Sequence, residues 1–204
     1  MKICFFTHNL RQDNGAGVFS RRLASGLADA LEAEVVAFTA VGAGESYERP
    51  LLCSNKLRLL GRLFQMRAII RSCDIVHALD VYPYGLIAAV ASLGLQKKII
   101  ITAIGSGSIQ PFYQWHLVRL IRWVYRRTAA VTAISAFTRD EILKKIPDLS
   151  IAVINPGVDV GEFVSGGMRA YNTERFKPYI LSVGQLRWRK GYHFSIPAFA
   201  EVKK

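Results

Sequence analysis

Short apolar runs alternate along the chain with longer stretches whose apolar residues return every third or fourth position. Lys2–Thr7 (KICFFT) is the first such run, and it reads as a buried strand. In Gly17–Leu31 the apolar residues fall at 19, 23, 24, 27, 28 and 31, which is a helical period. The same reading predicts strands at Glu34–Thr39, Asp74–His77, Lys98–Thr102, Ala130–Ile134 and Ile151–Ile154. Between them it predicts helices at about Asn55–Ser72, Tyr82–Leu93, Phe112–Arg127 and Ala136–Ile146. The punctuation agrees with these limits. Gly94 stands where a helix would end, Ser135 where one would be capped, and Pro147 where one must stop.

Strands that are apolar on both faces and alternate with helices predict an α/β fold, a doubly wound parallel sheet covered on both sides. From Asn155 to Lys177 the alternation breaks into Pro156, Gly157, Gly161, Gly166, Gly167 and scattered charges, the composition of a loop or linker. Tyr179–Val183 (YILSV) then reads as one more buried strand and Tyr192–Val202 as one more helix. That tail fits the last βα unit of one sheet or the first unit of a second domain.

Composition narrows the class. Of 204 residues, 51% are hydrophobic and 21% charged, which excludes disorder. The longest uncharged apolar stretch, Tyr82–Leu95, is shorter than the roughly 20 residues of a membrane span. The N-terminus lacks the apolar region of about 7–15 residues that a secretory signal needs. A soluble cytoplasmic protein is the expectation. Cys4, Cys53 and Cys73 have no metal-ligand or redox spacing, so free thiols and no metal are expected. Lys and Arg number 27 against 15 Asp and Glu, a net charge of +12, which favours an anionic partner: nucleic acid, acidic lipid headgroups or a phosphorylated substrate. No nucleic-acid-binding motif accompanies the charge, so no nucleic-acid partner is expected.

Several positions could carry chemistry. The first strand leads through Asp13-Asn14-Gly15-Ala16-Gly17 into a helix. Gly15 and Gly17 would let backbone N–H groups approach a phosphate at a helix N-terminus, or would merely serve a tight turn. The spacing is not that of a dinucleotide fingerprint, since Ser20 stands where the third glycine would be. Ile104-Gly105-Ser106-Gly107-Ser108 follows a later strand and invites the same two readings. His77 is placed at a strand end, followed by Asp80, and reads as a base, a hydroxyl ligand or a satisfied structural histidine; His8 is similar. On the predicted helix Phe112–Arg127, Trp115, Arg119, Arg122 and Arg126 share one face, and Lys56, Arg58, Arg62, Arg67 and Arg71 stud the earlier helix. Such a face suits an anionic membrane surface or a lipid-phosphate acceptor, and equally a core-packed helix with solvated arginines.

One stretch is similar to a known pattern. Thr132–Phe163 holds Ser135, then Thr138 with Ile142 and Leu143, then Asn155-Pro156-Gly157-Val158-Asp159 and Phe163. This resembles the nucleotide-sugar-dependent retaining glycosyltransferases of the GT-B fold, the group 1 or family 4-like enzymes built from two facing Rossmann-like domains. DIVHALD (74–80), GAGVFSRRLASGLADAL (15–31) and YILSVGQLRWRKGYHFSIPAFAEV (179–202) resemble further stretches of that family in the same order.

The resemblance implies a Rossmann-like acceptor-side domain over 1–160, a linker over 161–177 and the start of a donor-binding domain over 178–204. It implies no cofactor, a nucleoside-diphosphate sugar being the co-substrate, and a saccharide or lipid-linked acceptor. Gly15, Gly17, Gln185 and Lys190 would face the donor diphosphate. Gly105, Ser106, His77 and Asn155 would line the acceptor cleft, and Arg119, Arg122 and Arg126 would face a membrane or anionic acceptor. The chain departs from the family pattern at Gln185, where an Arg is usual, and at Ile104, where a His is usual. The family's acidic donor-binding segment would fall beyond Lys204. A truncated, inactive transferase is therefore expected, or a non-catalytic acceptor-binding subunit whose partner chain completes the second domain.

Overall fold

A computed structural model of the chain describes residues 1–158, 160–161, 179–184 and 186–202. The expectations placed on Asp159, Phe163, Gln185 and most of the 161–177 linker lie outside the described residues. The chain divides into two compact units, Met1–Gly157 and Val158–Lys204.

The first unit is a parallel sheet of seven strands. They are β1 (Lys2–Phe6), β2 (Glu34–Phe38), β3 (Glu48–Arg49), β4 (Ile75–Leu79), β5 (Lys98–Ala103), β6 (Ala130–Ala133) and β7 (Ala152–Val153). Their spatial order is β3-β2-β1-β4-β5-β6-β7, so the winding direction reverses between β1 and β4. The helices are α1 (Gly15–Leu31), α2 (Lys56–Arg71), α3 (Leu86–Ala91), α4 (Ser106–Ile109), α5 (Trp115–Arg126) and α6 (Ala136–Leu143). Local chemistry sets their starts. Asn14, Asn55 and Ser135 each accept a hydrogen bond from a backbone N–H of the first turn of α1, α2 and α6.

The sheet separates two cores. On one face Ile3, Phe5 and Ala37 pack against Ala24 of α1, with Leu10 closing over them. On the other, Cys4, Phe6, Val76, Ala78, Ile99, Ile101 and Val131 meet residues of α2, α3, α5 and α6, among them Met66, Ile70, Ala88, Ile121, Val124 and Ile142. A right-handed crossover dictates this split, because chain that returns over the sheet toward β4 must cross on the opposite face from α1.

The structure corrects several expected limits. β4 runs on to Leu79, so His77 lies mid-strand and Asp80 is the residue that leaves it. The helix expected from Tyr82 opens instead as a wide turn, Val81–Gly85, with a cis Tyr82–Pro83 peptide and an extended Tyr82. A residue before proline is pushed out of the helical region, and the α-helix begins only at Leu86. The helix expected from Phe112 begins at Trp115, after a 3₁₀ turn over Gln110–Tyr113 that contains Pro111. Strand β3 has no apolar run to announce it. It pairs with β2 through Ala37–Glu48 and Phe38–Arg49, while the Glu48 carboxylate accepts the N–H groups of Ala43 and Gly44 at 2.7 and 3.0 Å.

Within the second unit, Tyr179–Val183 is not a strand. A strand needs a hydrogen-bonded neighbour, and among the described residues none pairs with this segment. The unit contains a 3₁₀ turn, Trp188–Lys190, and a helix α7, Tyr192–Val202. Trp188 stacks on His193 with ring centroids 3.7 Å apart.

Candidate functional site

In an open parallel sheet, ligands sit beyond the carboxyl ends of the strands, at the point where the winding reverses. Here that point lies between the loops leaving β1 and β4. The two loops meet: His8 Nδ1 and the Tyr84 hydroxyl are 2.9 Å apart. Burial pushes the Tyr84 phenol up to about 12, so it stays protonated.

The first loop is folded by asparagines. Asn9 is buried, and its Oδ1 accepts from the Arg11 N–H at 2.9 Å and from Asn14 Nδ2 at 3.2 Å. Asn14 Oδ1 in turn accepts the Gly17 N–H at 2.8 Å. This separates the two glycines of the motif. A Cβ on Gly17 would lie 2.1 Å from the Arg11 carbonyl oxygen and 2.2 Å from Asn9 Oδ1, so Gly17 is a packing glycine whose N–H is already used. Gly15 is exposed with nothing within 4 Å of a Cβ, at the first turn of a 17-residue helix. Its N–H lies at the positive end of the helix dipole.

The second and third loops are tied together by Asp80. Its Oδ1 accepts the N–H of Ile104 at 2.9 Å, the N–H of Gly105 at 3.2 Å and the Ser108 hydroxyl at 2.6 Å. The residue adopts φ +70°, a conformation that costs free energy for any non-glycine side chain. Burial pushes the carboxyl pKa upward, while these three donors pull it down. Ser108 is itself fully buried and accepts the Val81 N–H at 3.2 Å. Gly107 is pressed against the same group, since a Cβ there would come within 2.7 Å of Asp80 Oδ2 and 2.8 Å of the Tyr82 carbonyl oxygen. Half-buried Gly105 and exposed Ser106 stand at this tied segment after β5.

The other expected site residues fall as follows. His77 is only 7% exposed, stacks on Phe5 at 5.1 Å and shares a 2.7 Å hydrogen bond with the Thr102 hydroxyl. Thr102 continues the row to Thr132 at 2.8 Å. Burial holds the imidazole down at about 4, so it is neutral and lies under the crevice, within the sheet. Asn155 is exposed and ties the chain after β7 to the end of β6, its Nδ2 donating to the Ile134 carbonyl at 2.9 Å. Lys190 belongs to the second unit, where it is exposed and ends the 3₁₀ turn.

Helix α5 buries Leu117, Ile121, Val124 and Tyr125 in the core. Its other face exposes Arg119, Arg122 and Arg126 together with Trp115. Arg122 donates to the Lys145 carbonyl at 3.2 Å, and Arg126 stands 3.9 Å from the Asp148 carboxylate. One face of α5 therefore packs on the core and the other carries a basic surface.

Asp80 escaped sequence reasoning as the organiser of the site. The signal available was a lone carboxylate just past an apolar strand, in a stretch where the next acid is Asp140. Among the described residues no group of three or more His, Cys, Asp or Glu could hold a metal ion, and no helix is long and apolar enough to cross a membrane.

These features define a Rossmann-like α/β domain with the loops after β1, β4 and β5 at the carboxyl edge of its sheet. The model of Glycosyltransferase Family 4 matches residues 13–162, and the chain belongs to that family. The structure is similar to that of HepE from Anabaena, solved with UDP-glucose, with TM-score 0.61 and 15% identity over 79% of this chain and 45% of that one. It is also similar to a glycosyltransferase from Rickettsia africae, with TM-score 0.62 and 16% identity over 99% of this chain and 57% of that one. The chain thus spans about half the length of the solved structures it matches. A search of curated protein sequences finds no match.

Two outcomes follow from the geometry. Gly107→Ala must displace either Asp80 or the Tyr82 backbone, and a loss of about 1–3 kcal/mol is expected in denaturant unfolding. Gly105→Ala, with open space around its Cβ, should change stability by less than about 1 kcal/mol. For His77, the folded value near 4 lies below the ordinary 6.5, so between those pH values the unfolded chain binds the extra proton and acid lowers stability. Relative to His77→Gln, the native protein should lose about 2 kcal/mol between pH 7 and pH 5, measured by urea unfolding at both pH values.

Proposed function

We propose that the chain carries the acceptor-side part of a glycosyltransferase that moves a sugar from a nucleoside-diphosphate donor to a saccharide or lipid-linked acceptor. The observation that carries this reading is an overlap between the family match and the site-forming elements. The family match spans residues 13–162, and the same residues build α1 and the loops after β4 and β5 that surround the crevice. HepE has been solved with UDP-glucose and with UDP, which makes a uridine diphosphate sugar the first donor to test.

In this reading Gly15, at the N-terminus of α1, is a donor-diphosphate residue, and the family resemblance assigns Lys190 and Gln185 the same role. Breaking the glycosidic bond places negative charge on the departing diphosphate, and fixed positive partners stabilise that charge as it develops. The acceptor hydroxyl meets Gly105, Ser106 and the neighbourhood of Asn155. His77 acts from beneath, as a neutral ring holding Thr102. The three free thiols suit a reducing cytoplasm.

Calorimetric titration of the 204-residue chain with UDP and UDP-glucose, beside Lys190→Ala, tests the assignment. The native chain is expected to bind both, and the variant to bind at least about tenfold more weakly, the scale of one charge-assisted contact. Absence of binding to either nucleotide by the native chain overturns the donor assignment. Equal affinity in the variant removes Lys190 from it.

A further inference from the structure

Helix α2 has more apolar surface than the core can use. One side of it contributes Met66 and Ile70 to the core, with Leu59, Leu63 and Ile69 packed around them. A second apolar stripe points the other way. Leu57, Leu60 and Phe64, spaced i, i+3, i+7, are 83, 59 and 75% exposed. Single exposed leucines are ordinary on protein surfaces, but three in one helical row, beside Gly61 and Ala68, form a continuous strip.

The charges on α2 itself are all of one sign. Lys56 and Arg58 flank its beginning and Arg71 its end, and none of the three side chains has an ion-pair partner among the described residues. From Pro50 to Arg139 the chain contains twelve Lys and Arg, and its only acids there are Asp74 and Asp80. Asp80 is half-buried and committed to the segment after β5. The positive charge of the molecule is therefore concentrated in this half of the first unit, which includes α5 with its exposed Trp115 and Arg119.

Both helices belong to the layer on the same face of the sheet, on either side of α3. In a parallel sheet each crossover helix starts at the carboxyl edge and runs back toward the amino edge. Leu57 and Trp115, in the first turns of α2 and α5, consequently lie toward the edge that carries the crevice loops.

We propose that the outer face of α2, assisted by the start of α5, docks onto an anionic phospholipid bilayer. A 16-residue helix is about 24 Å long. It suits lying in the interface plane, with leucine and phenylalanine in the acyl boundary and arginines at the headgroups. Charge complementarity selects this occupant over a second copy of the chain, because two such faces brought together would set like charges against each other. Docking would hold the α2 side of the sheet next to the lipid surface. The inference rests on exposure and charge alone and does not depend on the sugar-transfer reading.

Vesicle co-sedimentation of the 204-residue chain provides the test, with phosphatidylcholine alone and with one third phosphatidylglycerol, at low and high salt. The native chain is expected to bind the anionic vesicles, to bind phosphatidylcholine at least about tenfold more weakly, and to release as salt rises. The triple variant Leu57→Ser, Leu60→Ser, Phe64→Ser should lose at least about tenfold in vesicle affinity. Arg58→Glu should lose about fivefold or more. Both variants should keep the native circular-dichroism spectrum and unfolding midpoint, because the altered side chains face solvent. Failure of the native chain to bind anionic vesicles overturns the proposal, as does undiminished binding by the folded triple variant. A dimer of the native chain that the triple variant abolishes, without vesicle binding, assigns the strip to a second copy and overturns it too.

Discussion

The carboxyl edge of the sheet in the first unit depends on one half-buried carboxylate. Asp80 leaves β4 with φ +70° and concentrates three donors on a single oxygen, two backbone N–H groups and a hydroxyl, all from the loop that follows β5. Removing such a group would leave those donors unpaired at a buried site, which costs more than a hydrogen bond contributes in net terms. Ser108 adds a second tie, its hydroxyl accepting the Val81 N–H and its carbonyl the Tyr125 hydroxyl. Gly105, Ser106 and Gly107 carry almost no side chain, and Gly107 approaches Asp80 too closely for any other residue. Small residues give access to a ligand, and the carboxylate supplies the rigidity they lack.

The rest of the site follows from topology. Winding outward in one direction through β1, β2 and β3, and in the other through β4 to β7, opens a crevice where β1 and β4 lie side by side. The Asn9–Asn14–Gly17 network shapes one wall and Asp80 the other, and His8 with Tyr84 joins them. Below, the His77–Thr102–Thr132 row fills the sheet face beyond α1 with polar groups that satisfy one another. A neutral imidazole is the form such a place permits, since burial disfavours the charged ring. The geometry thus turns a histidine that looks like an acid–base group into a structural one.

Much of the fold was legible because each buried strand is an apolar run and because α1, α2 and α6 start at side chains that cap them. Legibility failed where backbone or packing, and not hydrophobic pattern, decides. β3 consists of Glu48 and Arg49, which no periodicity marks. Pro83 converts the start of an apolar helical pattern into a turn. Tyr179–Val183 has strand composition but no paired neighbour among the described residues. Within the site, Gly15 and Gly17 are indistinguishable in sequence; only the 2.1 Å approach of the Arg11 carbonyl separates the packing glycine from the open one. Likewise the apolar residues of α2 have no single period, because two opposite faces are apolar, and only burial separates the core side from the exposed strip.

Hydrogen exchange at the Ile104 and Gly105 amides, compared between the native chain, Asp80→Asn and Asp80→Ala, tests most directly whether one carboxylate organises the site. Both amides should be protected in the native chain and in Asp80→Asn, whose side-chain oxygen can still accept. They should exchange at least about tenfold faster in Asp80→Ala, while the amides of β1 and β5 stay protected in all three. Equal protection of Ile104 and Gly105 in Asp80→Ala would contradict the account, and would mean that the loop is held by its own backbone.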